Sequence, residues 1–309
     1  MSELPLVPIR YSAESVRFEG SSRRLARAAR AGELARVRRG SYVDSAEWRS
    51  LTPVQQHWIR VIASSAAAKS PPVFSHESAA VLSGIPIVEG LPHRLQVTVP
   101  PGSGLKSNRI VVRHEASLAA GEVIELARLR VTRLDRTAVD FIASRSFLSG
   151  ACAAEWLLNT GKLDPAHLAE AIERRRPFRG SRKVEAVVRF ASAASASPNE
   201  TLCRVRFEQL GYAQPEQQRT YPASRGRTFT VDFYWPEFDV ICETDGRIKY
   251  EDPQYLAGRT PQQALWDEKL REDELRAQCR GFVRLTWDDA WNRAGLIAKL
   301  TRAGIPRAH

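Results

Sequence analysis

Residues 228–246 read TFTVDFYWPEFDVICETDG, and no other stretch of the chain restricts its fold as tightly. Two β-rich runs, 229–235 and 239–244, flank a Pro-containing turn, which predicts an antiparallel hairpin. Asp232 lies inside the first run. Glu243 and Asp245 close the second, and a strand period of two puts both on one face. Carboxylates set into apolar strands are costly unless they are paired or hold a cation. Three of them converging at one end of a hairpin make a candidate oxygen-ligand site for Mg²⁺ (or Mn²⁺), with Asp232 and Glu243 as the metal ligands. Between His167 and His309 the chain has no histidine, which fits a hard cation better than zinc. The plainer alternative is a buried ion pair of Asp232 or Glu243 with Arg271 or Lys269.

From about residue 195 onward the pattern runs helix, strand, strand pair, helix, strand, helix. The opening helix carries SPNETLCRVRFEQLG (197–211), the core VDF (231–233) and ETDGRIKY (243–250), and the late helix and strand DEKLREDEL (267–275) and GFVRLTW (281–287). These residues resemble the PD-(D/E)xK nuclease superfamily, and more closely the bacterial domain related to very-short-patch-repair endonucleases, over about 195–303. The resemblance implies a restriction-endonuclease-like mixed sheet flanked by helices, metal-dependent cleavage of DNA to a 5′-phosphate and a 3′-hydroxyl, and a catalytic set of Asp232, Glu243, Asp245, Lys249, Glu200 and Lys269. The superfamily lysine stands two residues after the second acid; that place is Asp245 here. Lys249, three residues after Gly246, takes the position that related domains give to His or Lys, and Lys269 is a second candidate. Arg271 and Arg284 are candidate phosphate contacts. Glu200 has two readings. It is a ligand, or it closes a capping box with Ser197, with Pro198 at the first helical position.

The other informative stretch is residues 21–40, SSRRLARAARAGELARVRRG, with seven arginines against a single acid, Glu33. Ser21 or Ser22 caps a helix and Gly32 ends it. The run 34–43 then alternates apolar and basic residues and turns at Gly40, as a two-stranded wing does. Helix followed by basic wing matches the winged form of helix-turn-helix, and assigns DNA binding to Arg23, Arg24, Arg27, Arg30, Arg36, Arg38 and Arg39. Many surface helices carry solvated arginines, but like charges crowded this closely repel one another and call for an external anion. The whole chain agrees in sign: 46 Lys and Arg against 35 Asp and Glu leave a formal charge of +11, a surplus suited to a polyanion.

GELARVRRGSYV (32–43), SHESAA (75–80), LSGIP (82–86) and VTRLDRTAVD (131–140) resemble the AbiEi-type antitoxin and regulator family over roughly the first 150 residues. The resemblance implies a DNA-binding regulator of the kind found beside toxin genes, and hence a cognate toxin or antitoxin partner. His76 and His114 lack a nucleophile or ligand partner and read as hydrogen-bonded structural histidines.

The expected architecture is a multidomain α+β and α/β chain. Residues 1–48 form a winged helix-turn-helix, 49–194 a middle mixed α/β and helical region with breaks at Gly161 and 177–180, and 195–309 the nuclease-like domain. Four scattered cysteines form neither a zinc cluster nor a disulfide framework and suit a reducing compartment. No run of 18 apolar residues and no signal-peptide core is present, so the expectation is a cytoplasmic, nucleoid-associated protein without a membrane partner. The function expected is double-stranded DNA binding, with paired half-sites favouring a homodimer, joined to an Mg²⁺-dependent endonuclease. The competing readings are a non-catalytic regulator that keeps the nuclease-like fold as a scaffold, and an RNA-directed nuclease.

Overall fold

In the computed structural model the described residues are 7–12, 21–245 and 260–307. They form a mixed α/β structure with twelve α-helices and three sheets. The chain divides into two compact units, residues 1–153 with 163–187, and residues 154–162 with 188–309. The expected winged-helix segment and most of the expected middle region thus share one unit. Among the described residues no helix is long and apolar enough to cross a membrane.

The first unit begins with a short strand, β1 (Arg10–Tyr11), and helix α1 (Ser21–Arg30). Gly32, at φ +80°, ends the helix. Its N–H and that of Glu33 return to the carbonyls of Ala29 and Ala28, a paired termination that needs a left-handed residue and so favours glycine. Strands β2 (Leu34–Arg38) and β3 (Ser41–Asp44) follow as a tight antiparallel hairpin turning at Arg39–Gly40. Strand β1 pairs with β3, so the sheet order is β1-β3-β2. Asp44 caps α2 (Ser45–Ser50), and Thr52 with Gln55 forms a full capping box on α3 (Pro53–Ala66).

A five-stranded sheet comes next, built from β4 (Val73–Phe74), β5 (Leu95–Val99), β6 (Val111–Glu115), β7 (Val123–Leu126) and β8 (Leu129–Thr132) in the order β6-β5-β4-β8-β7. Its core joins Phe74, Val97 and Val131 to Trp58 and Val61 of α3 and to Val81 and Leu82 of helix α4 (His76–Ser83). Helices α5 (Leu134–Ser144), α6 (Phe147–Asn159), α7 (Pro165–Arg175) and α8 (Ser181–Phe190) follow. The breaks at Gly161 and 177–180 fall where the sequence marks them; a further break separates α5 from α6.

Among the described residues the second unit has the order helix, three strands, helix, strand: α9 (Pro198–Gln209), β9 (Glu216–Pro222), β10 (Thr228–Trp235), β11 (Val240–Asp245), α10 (Pro261–Arg276) and β12 (Gly281–Thr286). Helices α11 (Trp287–Trp291) and α12 (Arg293–Arg302) close it. Strands β9, β10 and β11 run as an antiparallel meander, and β12 lies parallel to β11. A parallel neighbour requires a crossover, and α10 lies on it. The hairpin expected at 228–245 is present, with Phe233 opposite Cys242 and Trp235 opposite Val240. Val231, Tyr234, Ile241 and Leu275 are buried together beside Tyr221. Glu155, 1% exposed, pairs with Arg204 and accepts from Thr201 Oγ1 at 2.6 Å and Ser192 N at 3.1 Å.

Candidate functional site

Two adjoining strands carry the acids, as their alternation predicts, and helices α9 and α10 bring the groups that answer them. Glu243 on β11 is 6% exposed. Both of its oxygens accept from Arg271 on α10, Nη1 at 2.8 Å and Nη2 at 2.8 Å. This two-pronged pairing is the strongest geometry a guanidinium offers a carboxylate. Arg271 Nη2 also donates to the carbonyl of Thr230 at 2.7 Å, so one side chain ties α10 to β10 and β11. Asp232 on β10 accepts through Oδ2 from Thr244 N at 2.7 Å and Thr244 Oγ1 at 2.8 Å.

Glu200, in the first turn of α9, is 4% exposed. Its carboxylate accepts from Ala196 N (3.0 Å), Ser197 Oγ (2.8 Å) and Gln218 Nε2 (3.1 Å). Ser197 Oγ in turn accepts from Glu200 N. The capping box expected here is therefore half formed: the serine caps the helix, while Glu200 reaches past Ser197 N to Ala196 N. Burial, and after it the charge of Asp232, raise the Glu200 carboxyl above the ordinary carboxylate range. Gln218 has a left-handed backbone, φ +55°, inside strand β9, at the register position between Gln217 and Arg219 that faces Asp232. A glutamine held this way is strained.

Asp245 belongs to a second group. It meets Arg284 of β12 at 3.1 Å, and the same guanidinium reaches Glu268 and Glu272 of α10, each at 2.9 Å. One arginine thus pairs with three carboxylates. Lys269 is exposed on α10 and forms no ion pair among the described residues. Lys249 lies outside the described residues.

As arranged, these side chains do not fit a divalent cation. Arg271 takes both Glu243 oxygens, Thr244 takes one oxygen of Asp232, and N–H and O–H donors take Glu200. Among the described residues no three His, Cys, Asp or Glu side chains form a metal-holding group. The plainer alternative describes Glu243 here: it is ion-paired with Arg271. Thr244, Gln218, Glu268 and Glu272 were not singled out from the sequence. The spacing of four between Glu268 and Glu272 on a helix was the available signal.

The basic segment is different. Arg23, Arg24, Arg27 and Arg30 on α1, and Arg36 and Arg39 on the hairpin, are exposed. Arg23, Arg27 and Arg30 line one shallow depression together with Ala26. No carboxylate pairs with any of these six among the described residues. Arg38, expected among the DNA contacts, is turned inward. Its Nη1 donates to the carbonyls of Ala63 and Ser64 at 3.2 Å each, at the C-terminal end of α3, where four carbonyls lack helical partners.

His76 and His114 stack with ring centroids 3.7 Å apart. His76 Nδ1 meets Ser75 Oγ at 3.0 Å, and His114 Nε2 meets Gln96 Oε1 at 2.7 Å. Burial lowers the His76 pKa to about 4.

Comparison of the chain with protein-family models and with curated proteins finds no match to either.

Proposed function

We propose that the protein binds duplex DNA through α1 and the β2–β3 hairpin, used as a winged helix-turn-helix. In this reading α1 enters the major groove and the hairpin lies along the backbone. The observation that carries it is the set of six exposed arginines on one helix and the adjoining hairpin, none with a carboxylate partner among the described residues. Like charges held together without internal neutralisation gain most from a phosphate array. The sheet order β1-β3-β2, with a helix directly ahead of the hairpin, supports the same use.

The test is fluorescence anisotropy of labelled duplex DNA with the full chain and with its Arg23/Arg24/Arg27/Arg30→Ala variant. The variant is expected to bind at least about 100-fold more weakly near 0.1 M salt, with a salt slope smaller by about four. Unchanged affinity and slope would remove α1 from the interface.

A second reading, that the C-terminal unit is a PD-(D/E)xK-type endonuclease needing Mg²⁺ or Mn²⁺, is favoured by the order helix, three strands, helix, parallel strand, and by Glu200, Asp232 and Glu243 lying on three of those elements. Arg271 would have to release Glu243 first. Plasmid nicking with and without Mg²⁺, run beside Asp232→Ala, decides it: nicking that needs both the ion and Asp232 supports cleavage, and nicking by the variant sinks it. An AbiEi-type regulator with a toxin or antitoxin partner, lacking cleavage, is what a negative result leaves.

A further inference from the structure

The first unit holds a groove of about 780 Å³ between the loop after α3, strands β4 to β8 and the loop after β5. That is a volume proper to small-molecule sites, which are mostly apolar with a few placed polar groups. Val73, Val99, Leu105, Val111, Leu118 and Val123 supply apolar surface, and Leu105 remains 53% exposed. Three arginines, Arg38, Arg113 and Arg130, also line it, and no acidic residue does. Each arginine is anchored through Nη1 to a backbone carbonyl: Arg113 to Lys106 at 2.6 Å, Arg130 to Pro71 at 3.4 Å, and Arg38 to Ala63 and Ser64. Each anchor uses one nitrogen and leaves the other donors without an acceptor among the described residues; the exposed Arg130, at 3.4 Å, is held more loosely than Arg38 and Arg113. Thr98, 5% exposed and in the same lining, has a hydroxyl with no hydrogen-bond partner among those residues.

We infer that this groove is a binding site for an amphipathic organic anion, a carboxylate on an apolar body. The apolar lining takes the body, and the guanidinium donors take the carboxylate in charge-assisted hydrogen bonds. A neutral ligand would displace water from the arginine donors without offering an acceptor in its place. An inorganic anion would leave the apolar lining uncovered. The inference stands on the groove alone and does not depend on the DNA-binding reading.

Isothermal titration of the full chain with decanoate, and separately with decanol, tests it. Decanoate is expected to bind saturably at one site, and decanol at least about tenfold more weakly, since the charged hydrogen bonds are what it lacks. In the Arg113→Gln/Arg130→Gln variant decanoate should fall to the level of decanol while the thermal melting curve stays that of the parent. Equal binding of the two ligands by the parent chain overturns the inference, as does the absence of saturable decanoate binding up to about 1 mM. Should the double variant melt early, the parent chain's preference for decanoate over decanol still decides the matter.

Discussion

Arginine is used in opposite ways by helix α1 with its hairpin and by the C-terminal sheet. On α1 and the hairpin six guanidinium groups face outward with no carboxylate in reach among the described residues. At the C-terminal sheet Arg271 of α10 and Arg284 of β12 are paired with Glu243, Asp245, Glu268 and Glu272. The difference teaches that the role of an arginine is decided by the acceptor the fold places beside it. Where a carboxylate or a helix-end carbonyl is in place, as for Arg271 and Arg38, the arginine becomes part of the fold; where neither is, the charge is left for an outside partner.

Three further experiments press on that contrast, apart from those given above. The largest effect belongs to Glu243→Ala, which leaves the guanidinium of Arg271, with 26% of its side chain exposed, with the Thr230 carbonyl but without its carboxylate. A loss of about 3 kcal/mol is expected in denaturant unfolding of the full chain. Parent-like stability would mean that the Glu243–Arg271 pair does not hold the fold together.

Next comes Glu200→Gln. Because burial and Asp232 raise its pKa in the folded state, the charged form is penalised by folding. The sign follows: the parent chain carries the full penalty above the raised folded value and none below the unfolded value of 4.5. The variant should therefore match or exceed the parent in stability at neutral pH, measured by denaturant unfolding. That advantage should fade as the pH falls towards 4.5. A variant clearly less stable than the parent at neutral pH would show that the ionised carboxylate, through its hydrogen bonds, stabilises the α9 end.

The smallest effect separates two arginines of the basic segment. Arg38→Ala should cost about 1 kcal/mol of stability, through the lost carbonyl contacts at the end of α3, and leave the salt slope of DNA binding unchanged. Arg27→Ala should do the reverse, lowering the slope by about one at unchanged stability. A fall in slope for Arg38→Ala would return that residue to the DNA-facing set.

Much of the local structure was legible because it is written in short-range pattern. The alternation and turn of 228–245 yield the β10–β11 hairpin. Gly32 and Gly40 mark a helix end and a hairpin turn, both at φ +80°. The break between α5 and α6 carries neither glycine nor proline. Ser146 makes it, accepting from Ser149 N at 3.1 Å, and a serine in a helical run does not announce itself as a cap. Of the five-stranded sheet, β5 and β6 have five residues each, whereas β4 has two and β7 and β8 four each, too few to show a period.

By itself the sequence determined which residues are acidic inside strands, which arginines crowd one helix, and where the chain turns, since all of these depend on neighbours a few positions away. Tertiary structure alone decided which charges meet. Glu243 and Arg271 stand 28 positions apart, and Arg38 reaches carbonyls 25 and 26 positions away. An ion pair depends on a distance of a few ångströms between side chains, and that distance exists only once strand, crossover helix and sheet have packed.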